Sequence, residues 1–153
     1  MTNFIEPTLA AGIIPTLKQF VMATKLHPIL VNFTAALVPV SVASDVIGRL
    51  LKNESLRNTA WWTLFYATIV TPLTAVSGWL FWMGDDNGVT GMTIHKWLGT
   101  AMVALLFGLF TWRWNLHRKQ QWPTTAYLIV GAILVAVLAY QGHLGGEQVF
   151  SGM

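Results

Sequence analysis

The chain has 153 residues and no cysteine, with 54% hydrophobic side chains and 10% charged ones, against roughly 25% charged in an ordinary soluble domain. That composition excludes a water-soluble globular domain, and it excludes a nucleic-acid binder despite a formal charge of +3 and a pI near 9.5. The absence of cysteine removes disulfides, iron–sulfur clusters and thiolate chemistry.

The first stretch, residues 1–25, reads as an N-terminal interfacial segment. A cleaved leader is disfavoured by the lack of any basic residue before Lys18, by Pro15 inside the apolar run, and by the lack of a small-residue cleavage site. Residues 13–24 suit a short helix lying in the interface, with Lys18 and Lys25 reaching headgroups and Leu17, Phe20 and Val21 turned inward. A loosely ordered strap is the other reading.

From residue 26 onward the chain reads as a four-helix transmembrane domain, 26–153. Four stretches carry no Asp, Glu, Lys or Arg: 26–44, 58–84, 97–112 and 120–146, together 89 positions. A crossing needs about 17–25 mostly apolar residues, and only helices or closed barrels satisfy the backbone in lipid. Helices are predicted over 28–51, 58–83, 93–115 and 124–143. Short connections make the course up-down-up-down, giving an all-α integral membrane four-helix bundle. Pro28 and Pro123 suit helix starts, and Gly84 to Gly88 is a strong turn signal between the second and third spans. Pro39 and Pro72 fall inside the first two spans at one depth, about 18 Å from their ends at 1.5 Å per residue. Gly108 and Gly131 come to a similar depth, which predicts close packing through small residues at the middle of the bundle.

The eight tryptophans form two belts: Trp61, Trp62, Trp112, Trp114 and Trp122 at one level, Trp79, Trp82 and Trp97 at the other. The first level also holds Arg49, Lys52, Arg57, Arg113, Arg118 and Lys119, against Lys18, Lys25 and Lys96 at the second. The positive-inside tendency puts the six in the cytoplasm. Both termini and the 85–88 loop then face the periplasm of a multi-pass protein of the bacterial inner membrane. Asp45 is the deepest charge, and Arg49, one turn away on the same face, is the expected structural partner.

The chemically informative residues are histidines. His27 begins the first span, His95 the third, and His143 ends the fourth, so antiparallel threading puts all three at one end; His117 lies at the other, among basic residues, as an ordinary interfacial side chain. An apolar surrounding favours neutral imidazole, the form that binds a metal. With no Cys or Met partner at ligand spacing, bis-imidazole ligation of haem leads, ahead of a three-His copper or zinc site. Two imidazoles on one iron separate their Cα atoms by about 12 Å, which matches the roughly 11–14 Å diagonal of a square bundle with 8–10 Å edges. Sequential packing therefore favours His27 with His95. His143 then stands at the haem edge or a propionate, or replaces His27 in a splayed bundle. Gly99, one turn from His95, leaves room for a flat ring or for a helix contact.

The runs His27-Pro28-Ile29-Leu30-Val31-Asn32-Phe33, His95-Lys96-Trp97-Leu98-Gly99 and Gly142-His143-Leu144-Gly145-Gly146-Glu147 resemble the bacterial membrane family called Domain of Unknown Function 2231 over about residues 26–150. The middle run also resembles the haem-ligating helix of small b-type cytochromes of the ascorbate-reducible kind. Members of the family sit in bacterial inner membranes, some joined to cytochrome or iron–sulfur modules. The resemblance thus implies a role in electron transfer; with the histidines holding one haem b, the expected partners are membrane lipids, the quinone pool and subunits of an electron-transfer complex or a periplasmic cytochrome or dehydrogenase. The chain departs from the family at Asn32, where a second His is usual, at Thr34, where a Pro is usual, and in lacking a His-Gly pair after Phe150. Three histidines at one end suffice for one haem and not for two.

The leading expectation is a b-type cytochrome subunit of an oxidoreductase complex rather than a self-contained enzyme. The alternative is a cofactor-free transmembrane anchor of a larger respiratory or photosynthetic assembly. Transport of a metal or small solute is disfavoured by the apolar midplane, and hydrolase or transferase chemistry by the lack of a nucleophile–base pair, a phosphate loop or an acid pair.

Overall fold

A computed structural model describes the backbone of residues 6–82 and 90–150 and the side chains of residues 12–82 and 91–147. It contains α1 (Glu6–Ala23), α2 (Leu26–Leu51), α3 (Glu54–Phe81), α4 (Thr90–Arg118) and α5 (Thr125–Phe150). The last four are long and apolar enough to cross a membrane. The all-α four-span bundle expected from the sequence is therefore the fold. The 84–88 turn lies outside the described residues.

Helix ends follow local chemistry. Lys52 takes a left-handed conformation (φ 53°) that stops α2, and the next amide, Asn53, donates to the Gly48 carbonyl at 2.9 Å. Asn53 then caps α3, its Oδ1 accepting from the Leu56 amide at 3.1 Å. A left-handed Gln120 ends α4 and a left-handed Lys25 separates α1 from α2. Pro39 and Pro72 are accommodated inside α2 and α3. The N-terminal segment is helical over a longer span than 13–24. It packs on α2 and α3 through Val21, which is buried, while Ile13, Leu17 and Phe20 remain exposed.

The spans pack in ring order: α2 against α3, α3 against α4, α4 against α5, and α5 back against α2. Thus α2 and α4 face each other across one diagonal, and α3 and α5 across the other. The core along the middle is Val38, Leu64, Ala67, Met102, Leu106 and Leu134. Large apolar side chains such as Phe33, Leu73, Phe107 and Ile133 project outward, as lipid rather than water requires. Gly131 meets the expectation of close packing, since a Cβ there would come within 3.1 Å of Val42 Cγ2 on α2; Gly108 does not, having open space around it. The two sit at one depth but at different azimuths of their helices.

The interface of α2 with α3 is polar at the histidine end and apolar in the middle, and further along the Ser41 hydroxyl donates to the Ala60 carbonyl at 2.7 Å. The Thr34 hydroxyl lies 3.4 Å from that of Thr71 and 3.3 Å from that of Thr74. Val38, Leu64 and Ala67, all fully buried, close that column one turn further in.

The opposite end holds a buried ion pair. Arg113 on α4 donates through Nε and Nη2 to the Asp45 carboxylate on α2 at 2.9 Å, and Nη2 also reaches the Arg57 carbonyl at 3.1 Å. Both side chains are fully buried, and Tyr127, likewise buried, stands beside the carboxylate. This corrects the expected Asp45–Arg49 partnership. Arg49 instead donates to Thr125 Oγ1 at 3.0 Å. Asp45 points at the bundle axis, where the diagonal partner is nearer than a side chain one turn along its own helix.

Both tryptophan levels are visible in the packing. At the basic end Trp61 packs on Trp114 and stacks on His117, 5.0 Å between ring centroids, while Lys52 and Arg57 lie over Trp122. At the histidine end Trp79 packs edge-on against Trp97, carries the Lys96 ammonium 4.5 Å above its ring, and donates to Thr100 Oγ1.

Candidate functional site: a paired-imidazole cleft

His27 enters from the first turn of α2 and His95 from the second turn of α4, across the diagonal. Their ring centroids are 6.4 Å apart and the rings are nearly perpendicular, at 87°. His95 is buried and His27 half-buried.

Each ring is fixed by the neighbouring helix in the same way. His27 Nδ1 lies 3.1 Å from the Thr74 carbonyl of α3, with the Ser77 hydroxyl also at 3.1 Å. His95 Nδ1 lies 2.9 Å from the Gln141 carbonyl of α5. A carbonyl only accepts, so both Nδ1 atoms carry the proton and both Nε2 atoms are left with a lone pair. Neither Nε2 has a hydrogen-bond partner among the described residues. An imidazole N–H held by a backbone carbonyl is the usual way a metal-ligating histidine is oriented.

A glycine backs each ring. A Cβ at Gly78 on α3 would come within 2.8 Å of His27 Cε1, and one at Gly145 on α5 within 2.7 Å of His95 Cε1. The imidazoles therefore occupy volume that any other residue at those positions would take. The fourth span runs past its expected end at 143, helical through Gly145 and Gly146 to Phe150. Tertiary contact here overrides the low helix propensity of glycine.

The pair stands between two recesses. A cleft of about 380 Å³ opens toward the α2–α5 side, walled by Val31, Phe81 and Met92, by Asn32, and by the flat glycine face of α5 at Gly142, Gly145 and Gly146. A smaller cavity of about 40 Å³ lies on the α3–α4 side, lined by Thr34, Thr74, Gly78, Lys96 and Gly99 among others. Gly99 admits the Gln141 side chain, whose Nε2 would meet a Cβ there at 3.0 Å.

The third expected member, His143, lies elsewhere. Its side chain is 64% exposed and its Nε2 is 3.3 Å from Glu147 on the same helix. Among the described residues no cluster of three or more His, Cys, Asp or Glu could hold a metal ion, so a three-His copper or zinc centre has no geometric basis there. The cause is helical phase: Gln141 and Gly145 face inward on α5, and a residue midway between them points to the opposite side. His117 is half-buried against Trp61, and its Nδ1 has no hydrogen-bond partner among the described residues.

Sequence reasoning missed Thr74, Gly78 and Gln141. The first is a backbone acceptor and carries no side-chain signal. Gly78 had a signal, as the lone glycine of the 58–83 span, at a depth one turn from the histidine end.

No curated protein and no solved structure matches the chain. A family model described as "Predicted membrane protein (DUF2231)" matches residues 23–152, which takes in all four spans and both histidines of the cleft. This chain belongs to the DUF2231 family of membrane proteins.

Proposed function

We propose that the chain is a b-type cytochrome subunit of the bacterial inner membrane, binding one haem between His27 and His95 and carrying electrons between the quinone pool and a periplasmic partner. The single observation that carries this reading is the matched pair of Nδ1-anchored imidazoles with bare Nε2 atoms across one diagonal. Two metal–nitrogen bonds of about 2 Å, extended to the middle of each ring, put the centroids about 6 Å apart, and the observed spacing is 6.4 Å. The main cleft, at about 380 Å³, lies within the roughly 300–1,000 Å³ usual for ligand sites. Its apolar walls and the side-chain-free α5 face suit a flat, greasy macrocycle.

In this reading His27 and His95 would hold the haem iron, and the Thr74 and Gln141 carbonyls hold their tautomers. Val31, Phe81 and Met92 exclude water and keep the site's dielectric low, while Gly142, Gly145 and Gly146 let α5 approach closely. Bound haem supplies one-electron chemistry, and the protein supplies ligation, burial and orientation. The cluster of basic residues near the Asp45–Arg113 end supports a cytoplasmic placement of that end and a periplasmic placement of the cleft.

The test is a reduced-minus-oxidised spectrum of protein purified with its native partners and supplied with haem. A sharp alpha band lost in both His27→Ala and His95→Ala is expected. Absence of haem by pyridine assay at full partner occupancy, or a band that survives both substitutions, overturns the reading. The anchor role would then stand, with both histidines replaceable without loss of assembly.

A further inference from the structure

The four spans obey a numerical rule. His95 follows His27 by 68 positions, and Arg113 follows its partner Asp45 by the same 68. Three inward positions of α2 between them have buried counterparts on α4 at that offset, Thr34 with Met102, Val38 with Leu106 and Ser41 with Leu109, while buried Val42 and Ser44 correspond to half-buried Phe110 and exposed Trp112. Gly48 and Leu116 continue it.

The second pair of helices obeys an offset of 67. Ala60, Leu64 and Ala67 on α3 correspond to Tyr127, Gly131 and Leu134 on α5, and Thr71 and Ser77 to Leu138 and Leu144, all of them buried. The same offset takes the Thr74 carbonyl to that of Gln141, and Gly78 to Gly145, so that both imidazole cradles map onto each other. The helices α2 and α4 run in one sense, α3 and α5 in the other, and equivalent helices stand on diagonals. The two hairpins are therefore related by a pseudo-two-fold axis along the bundle, the parallel-repeat arrangement known from membrane transporters.

We infer that the domain is a tandem pair of equivalent helical hairpins, and that Gly78 and Gly145 are matched positioning residues that turn His27 and His95 toward the shared axis. The inference rests on the ligand roles assigned to those histidines above, but its geometry stands without a bound group. A ring backed by glycine at van der Waals range and tied through Nδ1 to the carbonyl one turn before that glycine has one permitted rotation. Two such rings related by the axis present their Nε2 atoms to the same space. At the opposite end of the axis, identical residues at equivalent positions would be two like charges or two unpaired groups. The chain places Asp45 and Arg113 there instead, so the symmetry is broken where a matched pair would repel, and kept where a matched pair is useful.

The experiment uses the full chain in lipid nanodiscs, with ¹⁵N-labelled histidine. Wild type is expected to show the Nδ1-protonated tautomer for both His27 and His95. Gly78→Ala should displace the His27 signals and spare those of His95, Gly145→Ala should do the reverse, and Gly108→Ala, which meets open space, should change neither. Where wild type retains haem, the two cradle variants should each weaken retention by tenfold or more and to a similar extent. If wild type takes no haem while the reciprocal tautomer pattern holds, the cytochrome reading fails and the positioning inference stands. If either cradle variant leaves its own histidine unmoved, the inference is overturned. Should the cradle variants not fold, the exchange Asp45→Arg with Arg113→Asp decides the duplication. Equivalent positions predict that the double variant recovers the helical, monodisperse protein lost in each single variant, and a double variant no better than the singles refutes it.

Discussion

Replacing Asp45 by Asn should be among the most damaging single-atom changes in this protein. Arg113 is fully buried and spends Nε and Nη2 on the carboxylate, with one further bond from Nη2 to the Arg57 carbonyl. Its Nη1 has no partner among the described residues even with Asp45 in place. With Asn at position 45 the guanidinium keeps its charge and loses its counter-ion in a site that water does not reach. Removing one partner of a buried pair costs about 3–5 kcal/mol, which at about 1.4 kcal/mol per decade is a loss of roughly 10²- to 4 × 10³-fold in the folding equilibrium. The apolar double variant Asp45→Leu with Arg113→Met removes both charges and both desolvation costs, and is expected to return to about wild-type stability. Thermal unfolding in mild detergent, followed by circular dichroism, measures all three. An Asp45→Asn protein as stable as wild type, or a double variant worse than the single, would refute the argument that the pair is held by mutual need rather than by net attraction.

Three other outcomes follow from the geometry. His143→Ala should leave haem content and spectrum unchanged, because its ring is exposed and paired only with Glu147; loss of the alpha band in that variant would relocate the site. Gly131→Leu should pry α5 from α2, since even a Cβ there approaches Val42 at 3.1 Å, and should cost about 1–3 kcal/mol in the same unfolding assay. Trp122→Ala removes the ring beneath Lys52 and Arg57 and should cost about 0.5–1 kcal/mol, with the largest change in hydrogen exchange at the α2–α3 and α4–α5 connections.

Depth was legible in the sequence, and azimuth was not. Counting from each span's end placed His27, His95 and His143 at one level, but a level is a ring of directions, and helical phase turns His143 out while turning His95 in. The same blindness paired Asp45 with Arg49, its nearest neighbour along the helix, when the axis-facing partner was Arg113. It also grouped Gly108 with Gly131, although one faces open space and the other faces α2. The inward faces were recoverable in part. Thr34, Val38, Ser41 and Asp45 recur at three- and four-residue steps, yet in an apolar span the outward residues are as hydrophobic as the inward ones, so the pattern carries little contrast.

Charge-free length, tryptophan position and basic clusters determined by themselves that this is a four-span membrane helical bundle, because lipid leaves a backbone few ways to satisfy its hydrogen bonds. Which residues meet was decided by tertiary packing alone. The Thr74 and Gln141 carbonyls that lock two imidazoles are atoms every residue possesses, and Gly78 and Gly145 act through the side chain they lack. The relation between the two hairpins survives in spatial equivalence at offsets of 68 and 67 residues, where the side chains themselves have mostly diverged. Packing asks each inward position for volume and burial rather than for identity, so a fold keeps a symmetry that its letters no longer show.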